Sequence, residues 1–117
     1  ESMVDTAIDL NKMVHSYLHA ALWTSELDSN YDIEEIDHDS ISKAVADCKK
    51  FIEMGGPLLD GLNASDVGHD FWLSRNGFGS GFYDRNLGEI GDKLHMLAKN
   101  FKEKNVFEED GKIFLEE

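Results

Sequence analysis

The sequence predicts an α+β domain that is mainly α: three long helices, one or two short ones, and a small C-terminal β-hairpin that the 79–83 segment can extend. Three observations predict it. Apolar residues recur at three- and four-residue spacings in three long stretches. Gly55-Gly56-Pro57 stops the second of them, and Asn76-Gly77 ends a short helix before the third. Two short apolar runs near the C-terminus flank an Asp110-Gly111 turn signal.

Val4, Ala7, Ile8, Val14, Tyr17, Leu18, Ala21 and Leu22 make one stripe, which predicts a first helix over residues 4–23. The pattern then lapses. Glu26, Asp28, Asp32, Glu34, Glu35, Asp37 and Asp39 follow with no basic residue among them, an acidic loop that Tyr31, Ile33 and Ile36 can anchor. Asp39 or Ser40 is the expected cap of a second helix, whose face is Ile41, Ala44, Val45, Cys48, Phe51 and Ile52. Leu58, Leu59 and Leu62 predict a short helical turn beyond the glycine stop. Asn63 or Ser65 caps a short helix over about 65–75, and Leu87, Ile90, Leu94, Leu97, Ala98 and Phe101 line a third long one. Val106-Phe107 and Ile113-Phe114-Leu115 flank a hairpin turn, and a lone hairpin needs a partner in water.

Length and composition predict a single domain. With 117 residues and 41% apolar content the chain can bury a core without staples. Glu1 and Ser2 ahead of Met3 read as a cloning remnant, so the domain is expected over residues 3–117. No apolar run approaches membrane-spanning length and no leader is expected. One cysteine, Cys48, precludes an internal disulfide and leans toward a reducing compartment, with the cytoplasm as the expected location. The 24 acids against 11 bases, a formal charge of −13, argue against direct nucleic-acid binding, which needs a cationic footprint. Such a charge suits plain solubility, docking on a basic protein surface, or imitation of a nucleic acid's phosphate array.

The richest segment runs from residue 68 to 85: Gly68-His69-Asp70-Phe71-Trp72-Leu73-Ser74-Arg75-Asn76-Gly77-Phe78-Gly79-Ser80-Gly81-Phe82-Tyr83-Asp84-Arg85. Its Gly77-x-Gly79-x-Gly81 spacing differs from the dinucleotide pattern and follows a helix rather than a strand, so close backbone approach is the favoured reading. His69, Asp70, Arg75, Asn76, Asp84 and Arg85 suit an internal network, with Asp70 or Asp84 paired to Arg75 or Arg85. They also suit a partner surface or acid–base chemistry, although no nucleophile stands in a recognised setting. His15 and His19 have the i, i+4 spacing of zinc ligands but lack further ligands in sequence. Asp28, Asn30, Asp32, Glu34 and Asp39 follow a calcium-loop rhythm that Ile33 breaks at the glycine position. Neither a metal nor a cofactor is expected. Cys48, on an apolar face, reads as an inert buried thiol.

The same segment resembles a motif of a family of small acidic proteins encoded by bacteriophages and prophages, close to G-H-D-F-W-L-T-R-N-G-H-G-A-G-F-W-D-R. This chain departs from it at Ser74, Phe78, Ser80 and Tyr83, and Phe78 replaces a frequent histidine. The resemblance extends upstream through Ala21-Leu22-Trp23, Asn30-Tyr31-Asp32-Ile33 and Ala46-Asp47-Cys48 to Phe51, and downstream through Leu87-Gly88 to Leu94. It implies a phage accessory protein in a bacterial cytoplasm. The expected function is a non-enzymatic, acidic module, monomeric or a small homo-oligomer, that binds a basic or DNA-binding protein and modulates a nucleic-acid-handling or defence function. The candidate binding residues are Trp72, Arg75, Asn76, Phe78, Tyr83 and Arg85, with aromatic rings exposed as anchors, and Asp28, Asp32, Glu34 and Glu35 of the acidic loop. The alternative is a small enzyme or ligand-binding protein built on the His69, Asp70, Arg75, Asn76, Asp84 and Arg85 cluster.

Overall fold

In the computed structural model, which describes residues 8–25, 27, 31–78, 81–82 and 86–116, the first helix, α1 (Leu10–Thr24), begins at Asp9. The Asp9 carboxylate accepts the Lys12 N–H at 3.2 Å. The expected start at residue 4 lies outside the described residues. A 3-10 turn, Ile33–Glu35, follows, and the Glu35 carboxylate accepts the Asp32 N–H at 2.8 Å. The second helix, α2 (His38–Gly55), is capped by Asp37 rather than by Asp39 or Ser40. Asp37 reaches the N–H groups of both Asp39 and Ser40, while the Ser40 hydroxyl accepts the Leu115 N–H at 3.1 Å.

A second 3-10 turn, Gly56–Leu59, carries the predicted Leu58 and Leu59. The third helix, α3 (Ala64–Arg75), starts where Asn63 Oδ1 accepts the Ser65 and Asp66 N–H groups at 2.8 and 3.3 Å. It ends in a Schellman motif: Phe78 N–H donates to Leu73 O at 2.9 Å and Gly77 N–H to Ser74 O at 3.1 Å. The motif places Gly77 at φ 84°, a region that side chains disfavour. Since Asn63 is exposed, Asn63→Ala removes the α3 cap without opening a cavity. We expect it to lower stability by about 1 kcal/mol in urea denaturation, and an unchanged midpoint would refute the cap's contribution.

The fourth helix, α4 (Glu89–Lys99), leads into the hairpin of β1 (Asn105–Glu109) and β2 (Lys112–Glu116). Asp110 and Gly111 both have positive φ, the mark of a type I′ turn. The domain is therefore α+β and mainly α, as the sequence predicts, with four α-helices and a two-stranded sheet among the described residues. The partner of the hairpin differs from expectation. Within the 79–83 segment only Gly81 and Phe82 are described, and neither is in a strand. They lie against α3, with Phe82 N–H donating to Ser74 Oγ at 3.4 Å. β2 instead meets Ile36 in a parallel bridge, and Asp37 N–H donates to Ile113 O at 2.8 Å.

The core lies between α1, α2 and α3, with α4 and β2 closing it. Phe71 stacks on Phe51 at 4.4 Å between ring centres, and Phe82 stacks on the same ring at 5.8 Å. Cys48 is fully buried, and that burial, reinforced by the neighbouring Asp47 charge, raises its thiol pKa well above the ordinary range. We expect no labelling by iodoacetamide at about pH 8 in the native state and prompt labelling in urea; equal rates would place the thiol at the surface. Among the described residues no helix is long and apolar enough to cross a membrane.

Candidate functional site

The residues of α3 at 64, 67, 68, 71, 72 and 75 recur at helical spacing and face the core, which brings Trp72 and Arg75 inward. Arg75 is 1% exposed. Its Nε and Nη2 donate to Lys102 O, at 2.9 and 2.6 Å. Its Nη1 donates to the Tyr17 hydroxyl at 3.0 Å and to Asp47 Oδ2 at 2.8 Å. The guanidinium carbon also lies 5.6 Å from the Phe71 ring centre and 5.3 Å from that of Phe101. Arg75 points across the core and pairs with Asp47 on α2 in place of Asp70, and the expected pairings of Asp84 and Arg85 lie outside the described residues. Burial pushes the Tyr17 hydroxyl far above its usual range, and the Arg75 charge offsets part of that shift.

Trp72 is 2% exposed, which removes it as an exposed anchor. Its indole N–H needs a buried acceptor and finds Thr24 Oγ1 at 2.8 Å. Asn76 bridges two elements: its Nδ2 donates to Trp72 O at 2.9 Å, and its Oδ1 accepts the Lys104 N–H at 2.8 Å. Phe78, at 41% exposure, is the one described aromatic ring of the segment that meets solvent.

These residues bound a groove of about 320 Å³ between the end of α1, the end of α3 and the start of β1. Thr24, Trp72, Asn76 and Phe78 form one wall, and Glu103 to Val106 form the other. Three predicted residues, Trp72, Asn76 and Phe78, thus meet at one place, while Arg75 lies behind it and fixes the 102–104 stretch. Tyr83, Arg85 and Asp28 lie outside the described residues. Asp32, Glu34 and Glu35 sit on the β2 side of the hairpin, next to the Ile36–Ile113 bridge, and not in the groove.

His69 belongs to another face. Its ring lies 5.6 Å from that of Trp23, which is 71% exposed, and the two share a second hollow with Ser16 and His19. His69, Arg75 and Asn76 are therefore directed to three different sets of neighbours. The His15 and His19 rings meet edge to face at 4.7 Å. Among the described residues no group of three or more His, Cys, Asp or Glu side chains is placed to hold a metal ion.

Sequence reasoning missed Asp47, Glu103 and Trp23. For Asp47 a signal existed: it lies at the i+3 position from Ala44, within the apolar face of α2. Glu103 stands between Lys102 and Lys104, and nothing local marks it as the groove's outer wall. Comparison of the chain with family models, with curated proteins and with solved structures gives no match.

Proposed function

We propose that this domain is an acidic protein-binding module that docks on a basic surface of another protein. The observation that carries the reading is how the richest segment divides its side chains. Arg75, Asn76 and Trp72 are engaged in hydrogen bonds within the fold, while Phe78 and Glu103 are both exposed on the groove that they line. An exposed ring and a carboxylate lining one groove suit an arginine or lysine, which gains both cation–π and ionic contact.

Charge supports the same reading. At −13 the chain attracts cationic surfaces over long range and speeds their encounter. Proteins that bind nucleic acid present such faces, since their phosphate contacts are cationic. The phage motif resemblance adds a setting: a bacterial cytoplasm, with a nucleic-acid-handling or defence protein as the partner. The test is affinity purification of the tagged protein from infected bacteria. We expect one stoichiometric protein that high salt releases and that a Phe78→Ala, Glu103→Lys double variant fails to retain. An empty capture, with a small molecule found on the protein by native mass spectrometry, would overturn the reading.

A further inference from the structure

The two edges of the hairpin are treated differently by the rest of the fold. In a hairpin closed by a two-residue turn, the residues flanking the turn pair by hydrogen bonds, and every second residue turns its N–H and C=O outward. With Glu109 opposite Lys112, the outward positions are Ile113 and Leu115 on β2 and Val106 and Glu108 on β1. Each outward residue of β2 has one such group engaged: Ile113 O accepts from Asp37 N–H, and Leu115 N–H donates to Ser40 Oγ. On the other edge Asn76 Oδ1 takes the Lys104 N–H, the first outward amide in the series. The series then stops. The N–H and C=O groups of Val106 and Glu108 have no hydrogen-bond partner among the described residues.

An open strand edge is a template for another strand. Its surroundings decide which one. Glu103, Glu108, Glu109 and Asp110 are all exposed along this edge and its tip, against Lys102 and Lys112 as the exposed bases. A second copy of the chain would bring its own exposed acids of residues 103 and 108–110 alongside these, so the charges discourage self-pairing. A basic strand meets no such penalty. The edge also begins at the groove, where Asn105 and Val106 share the lining with Phe78 and Glu103.

We infer that an extended, basic segment of a partner protein adds to β1 as a third strand, bonding to Val106 and Glu108 and seating a lysine or arginine between Phe78 and Glu103. This rests on the reading of the domain as a module for basic proteins and specifies its binding mode. Backbone bonds would supply affinity, and the groove and acids would supply selection.

The test uses the full chain, labelled with ¹⁵N, and a short acetylated and amidated peptide of alternating lysine and valine. We expect the peptide to slow amide exchange at Val106 and Glu108, and an alternating glutamate–valine peptide to leave both unchanged. A pair of variants separates backbone from charge. Glu108→Pro deletes an outward N–H at an edge position that tolerates proline, whereas Glu108→Gln removes the charge and keeps the donor. We expect Glu108→Pro to bind about tenfold more weakly than Glu108→Gln, the loss of roughly one hydrogen bond, with circular dichroism confirming that both fold. Equal affinities, or binding without protection at Val106 and Glu108, would overturn strand addition while leaving a basic partner in place. Failure of the lysine peptide to bind at all would also overturn it, and an empty capture from infected bacteria would remove the wider reading.

Discussion

Gly68→Ala is expected to destabilise the domain by about 3 kcal/mol or more, against the helix propensity of alanine, which alone would favour the change by about 1 kcal/mol. Gly68 lies in α3 where that helix crosses α1. A Cβ there would stand 2.1 Å from Met13 O, 2.9 Å from its carbonyl carbon and 3.1 Å from its Cα. All three are backbone atoms, so no rotamer change relieves the overlap. The helices must move apart, and Tyr17, Phe71 and Trp72, packed at that crossing, would lose contact together. Gly55→Ala is the comparison. The atoms nearest its Cβ would all belong to the Leu59 side chain, from 3.0 Å, which can shift, so a loss below about 1 kcal/mol is expected. Urea denaturation of the two variants checks the pair. A Gly68→Ala midpoint at or above that of the parent would contradict the crossing geometry.

Arg75→Ala is expected to cost about 3–5 kcal/mol, the range for breaking a buried charged network by removing one partner. The loss has several parts. Lys102 O would lose two donors, Tyr17 and Asp47 one each, and the Phe71 and Phe101 rings the guanidinium over their faces. Lysine is not a substitute: its ammonium is a point donor and cannot fork to Lys102 O while reaching Asp47 and Tyr17. Arg75→Lys should therefore recover less than half of the loss. It should also speed amide exchange at residues 102–105, because Arg75 ties that stretch to α3. Full recovery by lysine would mean that charge alone, not the fork, holds the 102–104 stretch. Since Asp47 is 27% exposed and can rehydrate, Asp47→Ala should cost less than Arg75→Ala.

The helices were legible because their signals are local. Asn63 caps α3, Asn76-Gly77 ends it, and Asp110-Gly111 turns the hairpin through side-chain reach and positive φ, which depend on a few neighbouring residues. The cap of α2 lies two or three residues before the expected Asp39 or Ser40, because Asp37, Asp39 and Ser40 are all competent. The choice rested on Ser40, whose hydroxyl bonds to Leu115, 75 residues away. The bridge from Ile36 to β2 was equally illegible: at Gly81 a Cβ would collide with Ser74 and Asp70, and Gly81 and Phe82 lie against α3.

The site divides along the same line. Sequence periodicity alone places Trp72 and Arg75 on the core face of α3, and Asp47 within the apolar face of α2, so two opposite charges aimed inward were readable in principle. Their being partners was not. It depends on how α2 and α3 are set across the core, which follows from the Phe51–Phe71 stack and the close crossing at Gly68.

By itself the sequence determined the helices, the turn chemistry of the hairpin, the −13 charge and the location of the segment that organises the molecule. Each of these follows from residues near one another in the chain. Only the tertiary structure decided which side chains of that segment are bonded inside, that Phe78 and Glu103 line one groove, and that among the described residues β1 keeps an open edge while β2 bonds to Asp37 and Ser40. Those outcomes depend on contacts between segments distant in sequence, and packing the core settles all of them at once.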